Sequence, residues 1–165
     1  MNYAALKVIA FRGMAFASTL AMPLAILSHL PKFKERRQRY FAEAAMNGSL
    51  YRMQWLRLAG VNINARGNGY SPLRLAAGEG RLQSVRYLLD QGADVNASEN
   101  YGNTALTEAT YYGHIPIMRE LLIHGANVNA ISKDGTALDI ATSRNNATAV
   151  DLLMHHGAKR AADLR

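Results

Sequence analysis

The sequence has no cysteine. A disulfide framework, a thiolate zinc site, an iron–sulfur cluster and a cysteine nucleophile are therefore excluded together. The compartment stays open, because a chain without cysteine suits either redox environment. Charge is also scarce: 19% of residues are charged and 49% are hydrophobic, which excludes bulk disorder and a collagen-like chain. Net positive charge is nearly missing from most of the length. Residues 1–40 hold seven bases (Lys7, Arg12, Lys32, Lys34, Arg36, Arg37, Arg39) against Glu35, whereas residues 41–165 hold twelve bases and eleven acids. The net charge of +7 is thus an N-terminal property. The remainder lacks the single-sign field of a nucleic-acid-binding domain. The 165 residues amount to one domain's worth of chain, enough for a real core.

Residues 1–31 lack acids altogether and are mostly Ala, Leu, Met, Phe and Ile. Residues 13–30 carry no Asp, Glu, Lys or Arg; as a helix they would run roughly 27 Å, just short of a hydrocarbon core of about 30 Å. The basic run Lys32–Arg39 follows at once. Four readings fit. A membrane anchor or uncleaved signal would keep the C-terminal side in the cytoplasm. A cleaved export signal fits Ala15-Phe16-Ala17, but the apolar run continues past it. A transit peptide fits the lack of acids. An apolar helix packed on the next element needs no membrane. The membrane-anchored form, with the repeats described below in the cytoplasm, is the preferred expectation; exported or periplasmic, and plainly cytoplasmic, are the alternatives.

Beyond residue 32 the chain repeats itself. Gly60-Val61-Asn62-Ile63-Asn64-Ala65, Gly92-Ala93-Asp94-Val95-Asn96-Ala97 and Gly125-Ala126-Asn127-Val128-Asn129-Ala130 end three segments alike, and Gly157-Ala158 begins a fourth. The leading glycines, Gly60, Gly92, Gly125 and Gly157, recur at a nearly constant interval. Ser71-Pro72-Leu73, Thr104-Ala105-Leu106 and Thr136-Ala137-Leu138 share that period. Each Ser or Thr precedes an apolar helical run, where its hydroxyl can cap free N–H groups, and Pro72 takes the first helical position. Short Ala-rich first helices allow close stacking. Second helices follow with apolar residues three and four apart, Leu82, Val85, Leu88, Leu89 and Ile115, Met118, Leu121, Leu122. Leu88 and Leu121 are expected in a core shared between repeats.

These residues resemble the ankyrin repeat, a β-turn followed by two antiparallel helices. The resemblance implies an all-α ankyrin-repeat solenoid preceded by an apolar N-terminal helix. It divides the chain into an apolar segment 1–31, a basic linker 32–39, a repeat domain 40–160 (repeats about 33–65, 66–97, 98–130 and 131–160) and a tail 161–165. The first repeat lacks the turn and the Thr-Pro, as a capping repeat does. The fourth has Asn145-Asn146 where the third has Gly113-His114, and is one residue shorter between Gly135 and Thr136. The family's His after Thr-Pro-Leu, which hydrogen-bonds between turns, is replaced by Arg74, Thr107 and Asp139. A different or weaker turn network is expected, with fraying of the fourth repeat.

No catalytic constellation is present. His114 holds the family's Gly-His position and reads as structural. His124 and His156 align one repeat apart, roughly 10 Å, too far for shared ligation at about 2 Å metal–nitrogen distances. Adjacent His155 and His156 are expected to point different ways. Gly67-Asn68-Gly69 and Gly78-Glu79-Gly80 lack the Lys-Ser/Thr of a phosphate loop, and carboxylates are scattered singly. No enzyme activity, cofactor, metal or small-molecule substrate is expected.

A surface remains. The resemblance implies a protein partner on the concave face of turn tips and first-helix ends. Alignment by repeat puts Asn68, Tyr70, Tyr101, Asn103, Lys133 and Asp134 at the tips, and Gly78, Glu79, Tyr111, Tyr112, Ser143 and Arg144 at the helix ends. The candidate partner-binding set is Asn68, Tyr70, Glu79, Tyr101, Asn103, Tyr111, Tyr112 and Arg144. Tyr and Arg combine apolar area with a polar handle, as energetic anchors do; exposed Tyr can also simply shield turn backbone. The first rival function is a basic peripheral-membrane or nucleic-acid binder using residues 32–39, whose basic run is equally an ordinary topology signal; the second and lesser alternative is an enzyme or metal protein.

Overall fold

The computed structural model describes residues 31–67 and 69–164. The segment 13–30 and Asn68, both named above, lie outside the described residues. The repeat body occupies the compact unit Lys34–Arg165. Among the described residues eight α-helices follow in pairs: α1 (Pro31–Met46) with α2 (Leu50–Leu58), α3 (Pro72–Gly78) with α4 (Leu82–Asp90), α5 (Ala105–Tyr111) with α6 (Ile115–Ile123), and α7 (Ala137–Ser143) with α8 (Ala147–His155). First helices stack on first helices, α3 on α5 and α5 on α7; second helices do the same, α4 on α6 and α6 on α8. Residues 32–39 are the opening turns of α1 rather than a linker. No helix of the described residues is long and apolar enough to cross a membrane.

Local sequence explains each helix start. Ser71 Oγ accepts the N–H of Arg74 at 3.2 Å, and Pro72 follows at the first helical position, where no intrahelical N–H is missed. Thr104 with Thr107, and Thr136 with Asp139, close reciprocal capping boxes at α5 and α7. Pro116 falls in the first turn of α6, where it is tolerated.

Between the helices of a pair the chain must turn through the left-handed region. Gly48, Gly80 and Gly113 do so at φ 76°, 72° and 74°. In the fourth pair Asn145 replaces glycine at φ 53°, a side chain that tolerates this backbone well. The adjacent Asn146 caps α8 by accepting the N–H of Ala149.

The core follows from the helical periodicity. Leu88, Met118, Leu121 and Leu153 on the second helices are fully buried, and so are Ala76, Ala77, Ala109 and Ala141 on the first. Alanine is what lets the first helices approach, since a longer side chain would hold them apart. The backbone between repeats is tied by an asparagine ladder. Asn64, Asn96 and Asn129 each accept, through Oδ1, the N–H of the residue two past the next glycine: Asp94 at 2.9 Å, Asn127 at 2.7 Å and Lys159 at 2.7 Å. These amides lie outside the helices and so have no helical carbonyl to serve; the ladder supplies their acceptor.

The turns differ from expectation. The second and fourth are four-residue turns closed by paired backbone bonds, Gly67 with Tyr70 and Ser132 with Gly135. The third is one residue longer: Glu99 N–H bonds to the carbonyl of Asn103, and Tyr101 takes a left-handed conformation at φ 69°. Gly135 therefore stands where Tyr70 stands, and the residue lacking from the fourth repeat is lacking from the second as well. Nor is the fourth turn left loose. Thr136 Oγ donates to the carbonyl of Lys159 at 2.9 Å, and Asp139 Oδ2 accepts the N–H of Ala161 at 2.9 Å, which docks the final 3₁₀ turn, Ala161–Leu164. Burial raises the Asp139 carboxyl pKa, but the bonds from Ala161 and Thr136, with the charge of Arg160, outweigh it and leave the group below its ordinary value.

Leu88→Ala or Leu121→Ala should each cost about 2–5 kcal/mol in denaturant unfolding. Ile123→Ala, at a side chain 75% exposed on α6, should stay within about 0.5 kcal/mol.

Candidate functional site

The turns and first helices present four exposed tyrosines: Tyr70 (44% exposed), Tyr101 (74%), Tyr111 (45%) and Tyr112 (56%). Tyr70 and Tyr101 stand on the turns that lead into α3 and α5, and Tyr111 and Tyr112 stand at the end of α5, where the capped helix runs out. Their rings have neighbours of their own. Tyr111 meets Tyr112 edge-on, with centroids 5.0 Å apart, and Tyr112 stacks beside His114 at 6.2 Å. The Arg144 guanidinium lies 3.6 Å above the Tyr111 ring, and Lys133 Nζ lies 5.7 Å from that of Tyr101. The Tyr101 carbonyl accepts the N–H of Lys133 at 2.9 Å and so joins the third and fourth turns. The fold thus brings Tyr111, Tyr112 and Arg144 together, although the arginine comes from the following repeat.

Beneath Tyr70 lies a charged cluster that the sequence pattern did not reveal. Arg74, in the place of the family's His, donates from Nη1 to Glu99 and from Nε to Glu108 Oε2 at 3.0 Å, and its guanidinium sits 4.7 Å from the Tyr70 ring. Glu99 is buried, with its side chain 1% exposed, and its other oxygen accepts the N–H of Ser71. Burial opposes the charge on Arg74, but the bonds and fields of Glu108 and Glu99 overcome it, and its pKa stands above the ordinary value. The turn network is thus different, and not weaker. It runs from the second turn to the third through a charge-assisted bridge. Gly78 permits this: a Cβ there would lie 3.0 Å from Glu108 Cγ. The signals for Glu108 were the Arg in a His position and an acid in the first helix of the next repeat; neither is legible without the register.

Tyr70, Arg74, Gly78, Glu79, Glu108 and Tyr112 surround a shallow depression of about 90 Å³ between the second and third repeats. Of the expected site residues, Tyr70, Glu79 and Tyr112 meet here; Tyr111 and Arg144 adjoin through Tyr112; Tyr101 stands apart on its turn. Asn103 is half-buried, and its carbonyl closes the third turn. His114 Nε2–H donates to the carbonyl of Gly78 at 2.9 Å, a link between repeats. Arg81, its equivalent in the second pair, donates to the carbonyl of Met46. Among the described residues no three His, Asp or Glu side chains converge to hold a metal. His155 and His156 do not diverge: their rings meet edge-on at 5.9 Å. In the basic run, Arg37 is committed to the carbonyl of Ala59 and Arg39 to Glu43.

A family model, Ankyrin repeats (3 copies), matches residues 41–132. The chain belongs to the ankyrin repeat family. Among its relatives are the rat ankyrin repeat and SAM domain-containing protein 6, 42% identical over 88 residues (52% of this chain, 10% of the relative), and human BCL-6 corepressor-like protein 1, 41% identical over 100 residues (59% and 5%). The E3 ubiquitin-protein ligase XBAT33 of Arabidopsis thaliana is 37% identical over 86 residues (51% and 17%). The chain spans less than a fifth of each of these relatives. The fourth helix pair, α7 and α8, lies beyond the segment that the family model matches and repeats its architecture. Ankyrin repeats are generally protein–protein interaction modules and typically have no catalytic role.

Arg74→Ala should leave Glu99 buried without its cation and lower unfolding stability by about 3 kcal/mol. Arg144→Ala, at an exposed side chain, should change it by no more than about 0.5 kcal/mol.

Proposed function

We propose that this ankyrin repeat protein is a non-catalytic module that binds one protein partner across its turn and first-helix face, the concave face of the family. The observation that carries the reading is the line Tyr70, Tyr112, Tyr111 and Arg144, exposed yet held in place by its own contacts. Phenol rings fixed in this way lose little rotamer freedom on binding, which is how aromatic anchors supply affinity. Shielding of turn backbone alone does not call for Tyr70, Tyr112 and Tyr111 to adjoin one another across two repeats. The double change Tyr111→Ala/Tyr112→Ala should abolish capture of partners from native lysate, since such anchors cost about 2 kcal/mol or more each when truncated. Its melting temperature should stay near that of the parent. Undiminished capture by the folded variant removes this face as the site.

Membrane association through residues 13–30 is part of the same proposal. It is supported by their freedom from Asp, Glu, Lys and Arg and by the basic run that follows. The full chain should partition with vesicles or require detergent, while residues 33–165 remain in the aqueous phase and helical. A monomeric full chain in plain buffer whose segment 1–30 resists protease shows a packed segment instead.

A further inference from the structure

Charge is not balanced in the depression between the second and third repeats. Three carboxylates, Glu79, Glu99 and Glu108, stand around one guanidinium, that of Arg74. Arg74 is committed on two of its three nitrogens: Nη1 serves Glu99, Nε serves Glu108, and one face covers Tyr70. Both oxygens of Glu99 are engaged, by Arg74 and the N–H of Ser71. Glu108 binds Arg74 only through Oε2, and the exposed Glu79 has no cation within 4.0 Å among the described residues. The other cations of this face are placed elsewhere, Arg144 on Tyr111 and Lys133 on Tyr101. The depression therefore keeps a surplus of negative charge between two tyrosine rings.

We infer that this depression receives a lysine or arginine side chain of the partner, so that the partner segment crossing the second and third repeats is basic. The inference rests on the docking face proposed above and adds its chemistry. Glu79 and the second oxygen of Glu108 supply acceptors for a charge-assisted bond, and Tyr70 and Tyr112 supply the ring faces or edges that border a cation or its methylene stem. The volume of about 90 Å³ holds an ammonium or guanidinium head and is too small for a nucleotide or a flat cofactor, which need some 300 Å³ or more. An acidic side chain entering here meets repulsion, and an aliphatic one leaves the carboxylates desolvated without a partner.

The test uses the full chain and four pools of short peptides, each with central Arg, Lys, Glu or Leu and flanks varied over uncharged residues, read by fluorescence anisotropy. The Arg and Lys pools should bind at least about fivefold more tightly than the Glu and Leu pools, with a preference that shrinks as salt is raised. Glu79→Gln, an isosteric change at an exposed position, should weaken the Arg pool about tenfold at unchanged melting temperature and leave the Leu pool where it was. Equal binding of the four pools, no binding of any pool up to millimolar concentration, or a cation preference that survives both Glu79→Gln and Tyr70→Ala overturns the inference. If any of these occurs while Tyr111→Ala/Tyr112→Ala still abolishes partner capture, the docking face stands and only its cation subsite falls. If capture is undiminished, the face itself is lost.

Discussion

Each helix pair in this chain is apolar on the side that meets the next pair, so no pair can exclude water by itself. Everything else depends on that shared burial. It fixes the length of the repeat, because only that register stacks α3, with its buried Ala76 and Ala77, on α5 and α4, with its buried Leu88, on α6. It also explains the alanines. The turns sit on stacked first helices, and only small side chains let the repeats come close enough for one repeat's Asn Oδ1 to reach the next repeat's backbone N–H.

Within that register the same problem, how to close a turn against its neighbour, has three different solutions. Arg74 reaches across to Glu99 and Glu108. Thr107 stays local and returns a bond to its own cap, Thr104. Asp139 closes its cap and also holds the start of the last 3₁₀ turn. Three different chemistries occupy one structural position, so the position demands an anchored turn rather than a given residue. The charged depression forms at the cross-repeat solution, where a guanidinium from one repeat holds Glu108 of the next at its edge and Glu99 buried behind it.

Much of this is readable from the sequence, and the rest is not for reasons of distance along the chain. Ser71, Thr104 and Thr136 announce helix starts, and the glycine spacing announces the repeat, because both act within a few residues. Leu88 and Leu121 follow from helical periodicity, and Tyr111 beside Arg144 from repeat alignment. The Arg74–Glu99 and Arg74–Glu108 contacts join positions 25 and 34 apart. They depend on a turn one residue longer than its neighbours, a difference that alignment on the turn glycines Gly69, Gly102 and Gly135 assigns to the wrong repeat. The basic run reads as a linker because its charges suggest solvent. It is continuous with the helix that carries Phe41 and Ala45 into the core.

Among the described residues the hydrogen bonds between repeats join positions no more than 36 apart. A chain wired this way is nearly a string of interchangeable parts: one repeat could be duplicated, or excised with its turn, and its neighbours would find the same Asn, Gly and Ala surfaces to rejoin. The joint between the second and third repeats is the exception. Arg74 comes from one unit and both of its acids from the next, so copying either unit alone gives an unpaired guanidinium or an unpaired buried carboxylate. An array grown or shuffled by recombination would keep that bridge only where the second and third repeats move together.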